Sequence, residues 1–394
     1  EVAVLKLDSG YNIGLEVEEL ELVEKSDIEE PEKVDIHHSE DNADILVLHT
    51  GGTIASRVSY EEGGVKPSFE VEDLIEMYPE LSEEVNLHSE LVAQMLSENM
   101  EPGHWQQIAE KIDEVKDDYD GIIVGHGTDT MAYTGAALTL MLKGIDTGVL
   151  LVGAQRSSDR PSTDATMNMF CAGKFLSETN FEGIGICMHS SSNDEECNIL
   201  NAAKARKMHT SRRDAFQPIN SEPLGTVNYQ TGDIVENYEN KGDDYDFRPA
   251  LDTGVAYVKT RPGMKVEELK NLLNYDPNGL IIEGTGLGHA PVNAFDDLTD
   301  HHSDITDKIR EIADNAVVAM ASQCINGRVN MNVYDAGLKI QNAGVIQSGD
   351  MHPELAYVKL MWSLGNSDSM EEAKELFKKN VNGELSERSK YHET

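Results

Sequence analysis

Short, almost purely apolar runs that break off at glycine and hydroxyl residues constrain this chain more than any other feature. ILVLHT (45–50), GIIVGHG (121–127), GVLLVGA (148–154), GIGICMH (183–189), GLIIEGTG (279–286) and AVVAMASQ (316–323) all have this form. Strands that are apolar on consecutive residues, rather than on alternate ones, need both faces covered. Helical periodicity lies between them, as in HWQQIAEKIDEV (104–115) and TGAALTLMLKG (134–144). The fold class that follows is α/β with a mostly parallel sheet, whose ligands bind at the carboxyl ends of the strands.

A chain of 394 residues is long for one core and suits two domains plus a short extra segment. Residues 2–24 alternate apolar and polar around Asp8-Ser9-Gly10, the pattern of a β-hairpin. Two strands are not a stable unit alone, so residues 1–24 read as the remnant of a small β-rich domain that begins before residue 1. Residues 25–43 are acidic, polar and proline-containing, and read as a linker. The alternating strand and helix pattern then sets a large α/β domain at 44–240. The acidic, loop-like, aliphatic-poor stretch 233–252 carries the boundary, and a smaller α/β domain covers 251–385. Near its end, SMEEAKELFKKN (369–380) is an amphipathic helix with Ser369 as N-cap.

Charge excludes several functions. Lys and Arg number 32 against 72 Asp and Glu, a net −40 spread along the whole chain. Such a surface repels itself in dilute salt and is screened in molar salt, which reads as halophilic adaptation. Extensive phosphate contact needs clustered Lys and Arg and is disfavoured. Cys171, Cys187, Cys197 and Cys324 do not form a disulfide framework, and no CxxC or CxxH spacing points to a metal. The nearest approach to a cluster, Cys187-x-His189 with Cys197, reads as core packing plus a loop. No apolar stretch is long enough to span a membrane and the first residues lack a secretory pattern. The expectation is a cytoplasmic protein without a membrane anchor.

Two segments carry the chemistry. His49-Thr50-Gly51-Gly52-Thr53-Ile54-Ala55 follows the first strand of the large domain. Its glycines let the backbone turn and bring N–H groups near a ligand, and a hydroxyl beside such donors suits an oxyanion-forming reaction. By itself TGGT is equally a turn or a phosphate loop. Gly125-His126-Gly127-Thr128-Asp129-Thr130-Met131 also ends a strand and sets a hydroxyl next to a carboxylate. By itself it fits an ordinary helix N-cap.

Together these segments closely resemble the TGGTIA and HGTDTM signatures of the bacterial-type asparaginase and glutaminase family. VGAQR (152–156), GTGLGHAP (284–291) and GVIQSGDMHPELAYVKLMW (344–362) extend the likeness over roughly residues 44–380. The resemblance implies a two-domain fold and an amidohydrolase that needs no metal. It puts the nucleophile at Thr53 and a second threonine and aspartate at Thr128 and Asp129. It puts the lysine at Lys207 within RKMHT (206–210), with Lys204 as fallback. A lid tyrosine falls at Tyr60. Ser97 and Glu98 fall where the substrate's α-amino and α-carboxyl groups are gripped, with Glu98 standing where glutamine is common. Gly52 and Gly127 belong to the same substrate-binding set. The implied reaction begins with attack by Thr53 on the side-chain amide carbon and loss of ammonia. Water activated through Thr128, Asp129 and Lys207 then releases the acyl group.

The opening segment KLDSGYNIGLEVEELELVE, the lid TGGTIASRVSYEEGGVKPSF and RKMHTSRRDAF resemble more narrowly the D subunits of archaeal glutamyl-tRNA(Gln) amidotransferases. That resemblance implies hydrolysis of glutamine, or of asparagine, with ammonia passed to an E-type partner of the same amidotransferase. The partner uses ATP and Mg²⁺ to turn Glu-tRNA(Gln) into Gln-tRNA(Gln) and makes most of the tRNA contacts. A homodimeric core is implied as well. The alternative is a stand-alone asparaginase, and a non-catalytic scaffold on the same fold is the third reading.

Overall fold

A computed structural model describes residues 39–51, 74–156, 163–242 and 244–388 apart from Glu76, and the backbone of the strand segments 2–6, 12–16, 56–59 and 64–67. The large domain is built on an eight-stranded sheet. In chain order its strands are β1 (Asp44–Gly51), β2 (Asn86–Met95), β3 (Gly121–Gly125), β4 (Gly148–Val152), β5 (Gly183–His189), β6 (Glu196–Asn201), β7 (Gly225–Asn228) and β8 (Ile234–Glu236). They lie in the order β8-β7-β6-β5-β4-β3-β1-β2. The pairs β2/β1, β1/β3, β3/β4 and β4/β5 are parallel. A short connection joins β5 to β6, so the chain turns back and the remaining edge is antiparallel.

Helices α1 (Pro102–Val115), α2 (Met131–Met141) and α3 (Ala165–Glu178) connect the parallel strands. The continuous apolar runs split between two cores. Leu46, Leu48, Ile122, Val124, Val149 and Leu151 face α1 and α2. Ile45, Val47, Ile123, Leu150 and Val152 face α3. Each fully buried aliphatic side chain contributes about 1.5–3 kcal/mol relative to exposure. That explains why these strands carry no polar face.

The small domain holds a parallel four-stranded sheet of β9 (Val255–Lys259), β10 (Gly279–Gly284), β11 (Val317–Ser322) and β12 (Ile346–Gln347). One face is covered by α4 (Val266–Leu273), α5 (His302–Ala313) and α6 (Asp335–Asn342). Helix α7 (Pro353–Gly365) covers the other face, joining α2 in the core that also lines the large sheet. Every α2 residue except Tyr133 is buried, as a helix held between a sheet and a second helix requires. The two domains therefore share a core. Helix α8 (Met370–Lys378) closes the domain, and Ser369 accepts from Glu372 N as its N-cap.

The strands Val2–Lys6 and Asn12–Glu16 pair antiparallel, as the alternation predicts for a hairpin. Most of the linker, residues 25–38, lies outside the described residues, and its end is stitched to Asn86 through Ser39 and Asn42. Two expectations need correction. The stretch 233–252 is not all loop: Ile234–Glu236 adds the edge strand β8, and Asp246–Phe247 pairs with Leu142–Lys143. The helix expected over 134–144 runs Met131–Met141 instead. Leu142–Lys143 are drawn into that pairing, and Gly144 (φ 70°) turns the chain where a Cβ would be strained. No described helix is long and apolar enough to cross a membrane.

Candidate active site

The carboxyl ends of β1, β3 and β4 form the floor of the site. Thr50 Oγ1 donates to Gly125 O at 2.8 Å, tying the end of β1 to the end of β3. Gly51 follows with φ 101°, and a Cβ there would lie 2.3 Å from Met95 O, so only glycine lets the chain leave β1 at this point. Gly52, Thr53 and Tyr60 lie outside the described residues. In sequence, Tyr60 falls between the antiparallel strands Ser56–Ser59 and Gly64–Pro67.

Beyond β3, His126 N donates to Val152 O at 2.9 Å, and the chain passes through Gly127–Thr130 into α2. The N-cap reading of Thr128-Asp129 fails here. Thr130 is the N-cap and its side chain does not cap; its Oγ1 donates to Ser97 O at 2.7 Å. Thr128 and Asp129 are turned to a cation instead. Lys207 Nζ donates to Thr128 Oγ1 at 2.8 Å and to Asp129 Oδ1 at 2.7 Å. Lys207 is brought there by a two-stranded ribbon, Ala205–Lys207 paired with Phe216–Pro218. Its side chain is 15% exposed and that of Asp129 65%, so the group sits at the floor of a solvent-reachable surface.

Packing holds Thr128 in place. A Cβ on Gly153 would lie 2.8 Å from the Thr128 methyl and 2.8 Å from His126 O. A Cβ on Gly127 would lie 2.7 Å from that of Ser97. Glycine at both positions lets β4 and the Ser97 turn close on the loop. Ser97 is buried and Glu98 exposed, both in the one-turn helix Ser97–Asn99. Among the predicted residues the structure thus brings Thr128, Asp129 and Lys207 together, with Gly127 and Ser97 against them. The fallback Lys204 lies elsewhere, buried with its Nζ 2.9 Å from Asp350 Oδ2.

Some residues that shape the site escape motif reading. Asp164 is fully buried just before α3 and accepts from Gln155 N and Arg156 N, both at 2.9 Å, which fixes the loop after β4. Asn168 Nδ2 donates to Gly153 O at 2.9 Å, and its Oδ1 lies 2.6 Å from His189 Nδ1. An aspartate immediately before a helix is the only sequence signal for Asp164. Cys187 and His189 are buried in β5 and Cys197 in β6, so this trio is core packing, with Cys197 in a strand rather than the expected loop.

Comparison with known proteins adds to this geometry. Residues 44–241 match the family model "Asparaginase, N-terminal", and residues 254–377 match "Glutaminase/Asparaginase C-terminal domain". The chain is 42% identical to each of the glutamyl-tRNA(Gln) amidotransferase D subunits of Methanothermobacter thermautotrophicus and Pyrococcus furiosus. The match covers 98% of this chain and 88% of the first of those proteins, and 98% and 87% for the second. The thermostable L-asparaginase from Thermococcus kodakarensis superposes with a TM-score of 0.78 at 28% identity, over 88% of this chain and 100% of that one. L-asparaginase I from Vibrio cholerae gives 0.74 at 26%, over 88% and 99%.

Proposed function

The chain belongs to the asparaginase/glutaminase family, among the glutamyl-tRNA(Gln) amidotransferase D subunits, and from that membership we propose that it hydrolyses the side-chain amide of glutamine to supply ammonia for the making of Gln-tRNA(Gln). The observation that carries this reading is the convergence of Lys207 on Thr128 and Asp129 at the carboxyl end of β3.

Thr53 attacks the amide carbon, backbone N–H groups stabilise the oxyanion, and the C–N bond breaks as the proton given up by the Thr53 hydroxyl passes to the nitrogen, which leaves as ammonia. An acyl-enzyme remains on Thr53. The hydrogen bond from Lys207 to Thr128 leaves the threonine O–H free to engage water, and Asp129 balances the ammonium charge. The attacking water passes its proton through the Thr128 hydroxyl to Thr53 Oγ as the acyl C–O bond breaks, releasing glutamate and restoring Thr53. Gly52 and Gly127 present backbone N–H groups, Tyr60 assists Thr53 from the lid, and Ser97 holds the substrate's α-substituents. Glu98, next to Ser97 in the chain, is exposed.

The chain itself requires no cofactor. ATP and Mg²⁺ act in the E-type partner, which receives the ammonia and holds Glu-tRNA(Gln), while two copies of this chain form the core of the assembly. Its charge of −40 suits a halophilic setting.

The test is ammonia release from glutamine and from asparagine in molar KCl. The chain is assayed alone, then with the E-type partner, ATP, Mg²⁺ and Glu-tRNA(Gln). Little activity alone and a large rise in the assembly are expected, with Thr53→Ala and Lys207→Met each lowering the assembled rate about a thousandfold or more. Full activity alone, indifferent to partner and tRNA, would leave a stand-alone asparaginase.

A further inference from the structure

The strand Ala205–Lys207 has two faces, and Lys204 ends the one-turn helix Ala202–Lys204 that leads into it. Successive side chains of an extended strand point to opposite sides, and here the two sides meet different domains. Ala205 is fully buried, and Lys207 reaches Thr128 and Asp129 of the large domain. Lys204 and Arg206 reach the small domain, at Asp350 just before α7, Glu354 in its first turn and Ser386 after α8. Lys204 Nζ lies 2.9 Å from Asp350 Oδ2 and 2.6 Å from Ser386 Oγ. Arg206 Nε donates to Glu354 Oε1 at 2.8 Å, and its Nη2 lies 2.6 Å from the same oxygen.

Both acidic partners are themselves held. Asp350 Oδ1 accepts from Ser386 N at 3.0 Å, which brings the chain after α8 onto the pair. Arg328 donates to Glu387 O at 2.9 Å and to Ser386 O at 3.1 Å, fixing that chain to the small domain. Glu354 Oε2 lies 3.0 Å from His352 Nδ1. Burial alone would raise the carboxyl pKa of Glu354, but His352 and Arg206 outweigh it and bring it down to about 2. The Lys204–Asp350 pair is nearly dry, with side chains 5% and 1% exposed. Buried pairs of this kind are weak evidence for stability, since apolar residues of similar volume often serve as well. What they do impose is geometry.

We propose that Lys204 and Arg206 are positioning residues through which the small domain, by Asp350 and Glu354, sets the placement of Lys207 against Thr128 and Asp129. The inference rests on the role given to Lys207 above. Neither cation approaches the Thr128 hydroxyl; Arg206 acts through the strand it shares with Lys207, and Lys204 through the one-turn helix Ala202–Lys204 that leads into that strand. A small-domain movement that shifts residues 350–354 is passed to the reacting group along three residues of chain.

The experiment uses the full chain assembled with its partner and substrates. Lys204→Met and Arg206→Met are made singly, and each again in a Lys207→Met background. The single variants should lower kcat about ten- to a hundredfold, the scale of an ångström-sized misplacement, with KM for glutamine within about twofold. Arg206→Lys should recover part of the loss. In the Lys207→Met background neither substitution should lower the residual rate further, because effects that run through one residue do not add. Wild-type kcat in both single variants would overturn the proposal, as would an undiminished loss in the Lys207→Met background. Retained activity of Lys207→Met itself would instead overturn the assignment of Lys207. Should a cation variant fail to fold, Glu354→Gln asks the same question from the small-domain side and must show the same kcat loss.

Discussion

His126 shows how a single side chain can set the acid limit of this protein. It is fully buried, with Nδ1 2.6 Å from Gly127 O and Nε2 2.8 Å from Thr134 Oγ1. The carbonyl can only accept, so Nδ1 carries the proton and Nε2 accepts from the threonine hydroxyl: a neutral ring satisfies both bonds. Burial lowers its pKa from 6.5 to about 4, and burial does the same to His49, also to about 4. The folded pKa lies below the unfolded one, so the stabilisation is complete above pH 6.5 and is lost as pH falls through about 4. Each ring accounts for roughly 3 kcal/mol over that window. Denaturant titrations at several pH values should show stability falling between pH 6.5 and 4, and His126→Gln should flatten that slope. An unchanged slope in the variant would show that His126 is not the group responsible. At this scale much of the site was legible in sequence, because HGTDTM ends an apolar run and places Thr128 and Asp129 together. Choosing between Lys204 and Lys207 could not be done from spacing alone. Both lie in one basic run, and which of them faces Thr128 depends on where the second domain sits.

Among the elements, the strands were the most readable, since continuous apolar runs bounded by glycine leave little else. The end of α2 was not: Leu142–Lys143 continue its helical pattern but are claimed by Asp246–Phe247, a partner about a hundred residues away in sequence. The role of the chain following α8 was also hidden, because the polar sequence NVNGELSER gives no sign of a buried contact. That segment is in fact pinned by a fully buried pair, Lys359 of α7 with Glu384, whose carboxylate also accepts from Val381 N at 2.8 Å and Asn382 N at 2.7 Å. Removing one member leaves an uncompensated buried charge, so Lys359→Met alone should destabilise by about 3–5 kcal/mol. Replacing both, as Lys359→Met with Glu384→Leu, should recover much of that loss. Thermal and denaturant unfolding of the three proteins checks this. A double variant no more stable than Lys359→Met alone would show that the loss does not come from an uncompensated charge on Glu384.

On the scale of the whole molecule, charge dominates. At about 0.1 M salt the Debye length is near 10 Å and repulsion among exposed carboxylates is felt across neighbouring elements; near 1 M it is about 3 Å. Raising KCl from 0.1 to 2 M should therefore increase the unfolding midpoint substantially, while the dry Lys359–Glu384 and Lys204–Asp350 pairs are little affected. A midpoint that falls or stays level would remove the halophilic reading. Two-domain organisation was legible from the recurrence of the strand pattern. The shared core between α2 and α7 was not, because an all-apolar helix does not announce which neighbours cover it.

The two-faced strand also bears on how such a chain can change over time. Side chains on a strand differ by parity, and a slip of one residue sends every one of them to the opposite face. Within the strand Ala205–Lys207, a single residue inserted ahead of Arg206 would therefore deliver the arginine to Thr128 and send the lysine to the face of Glu354. Substitutions at these positions alter one contact at a time, whereas a change of length inverts the whole segment. The count of residues here is a heritable constraint in its own right, separate from their identity.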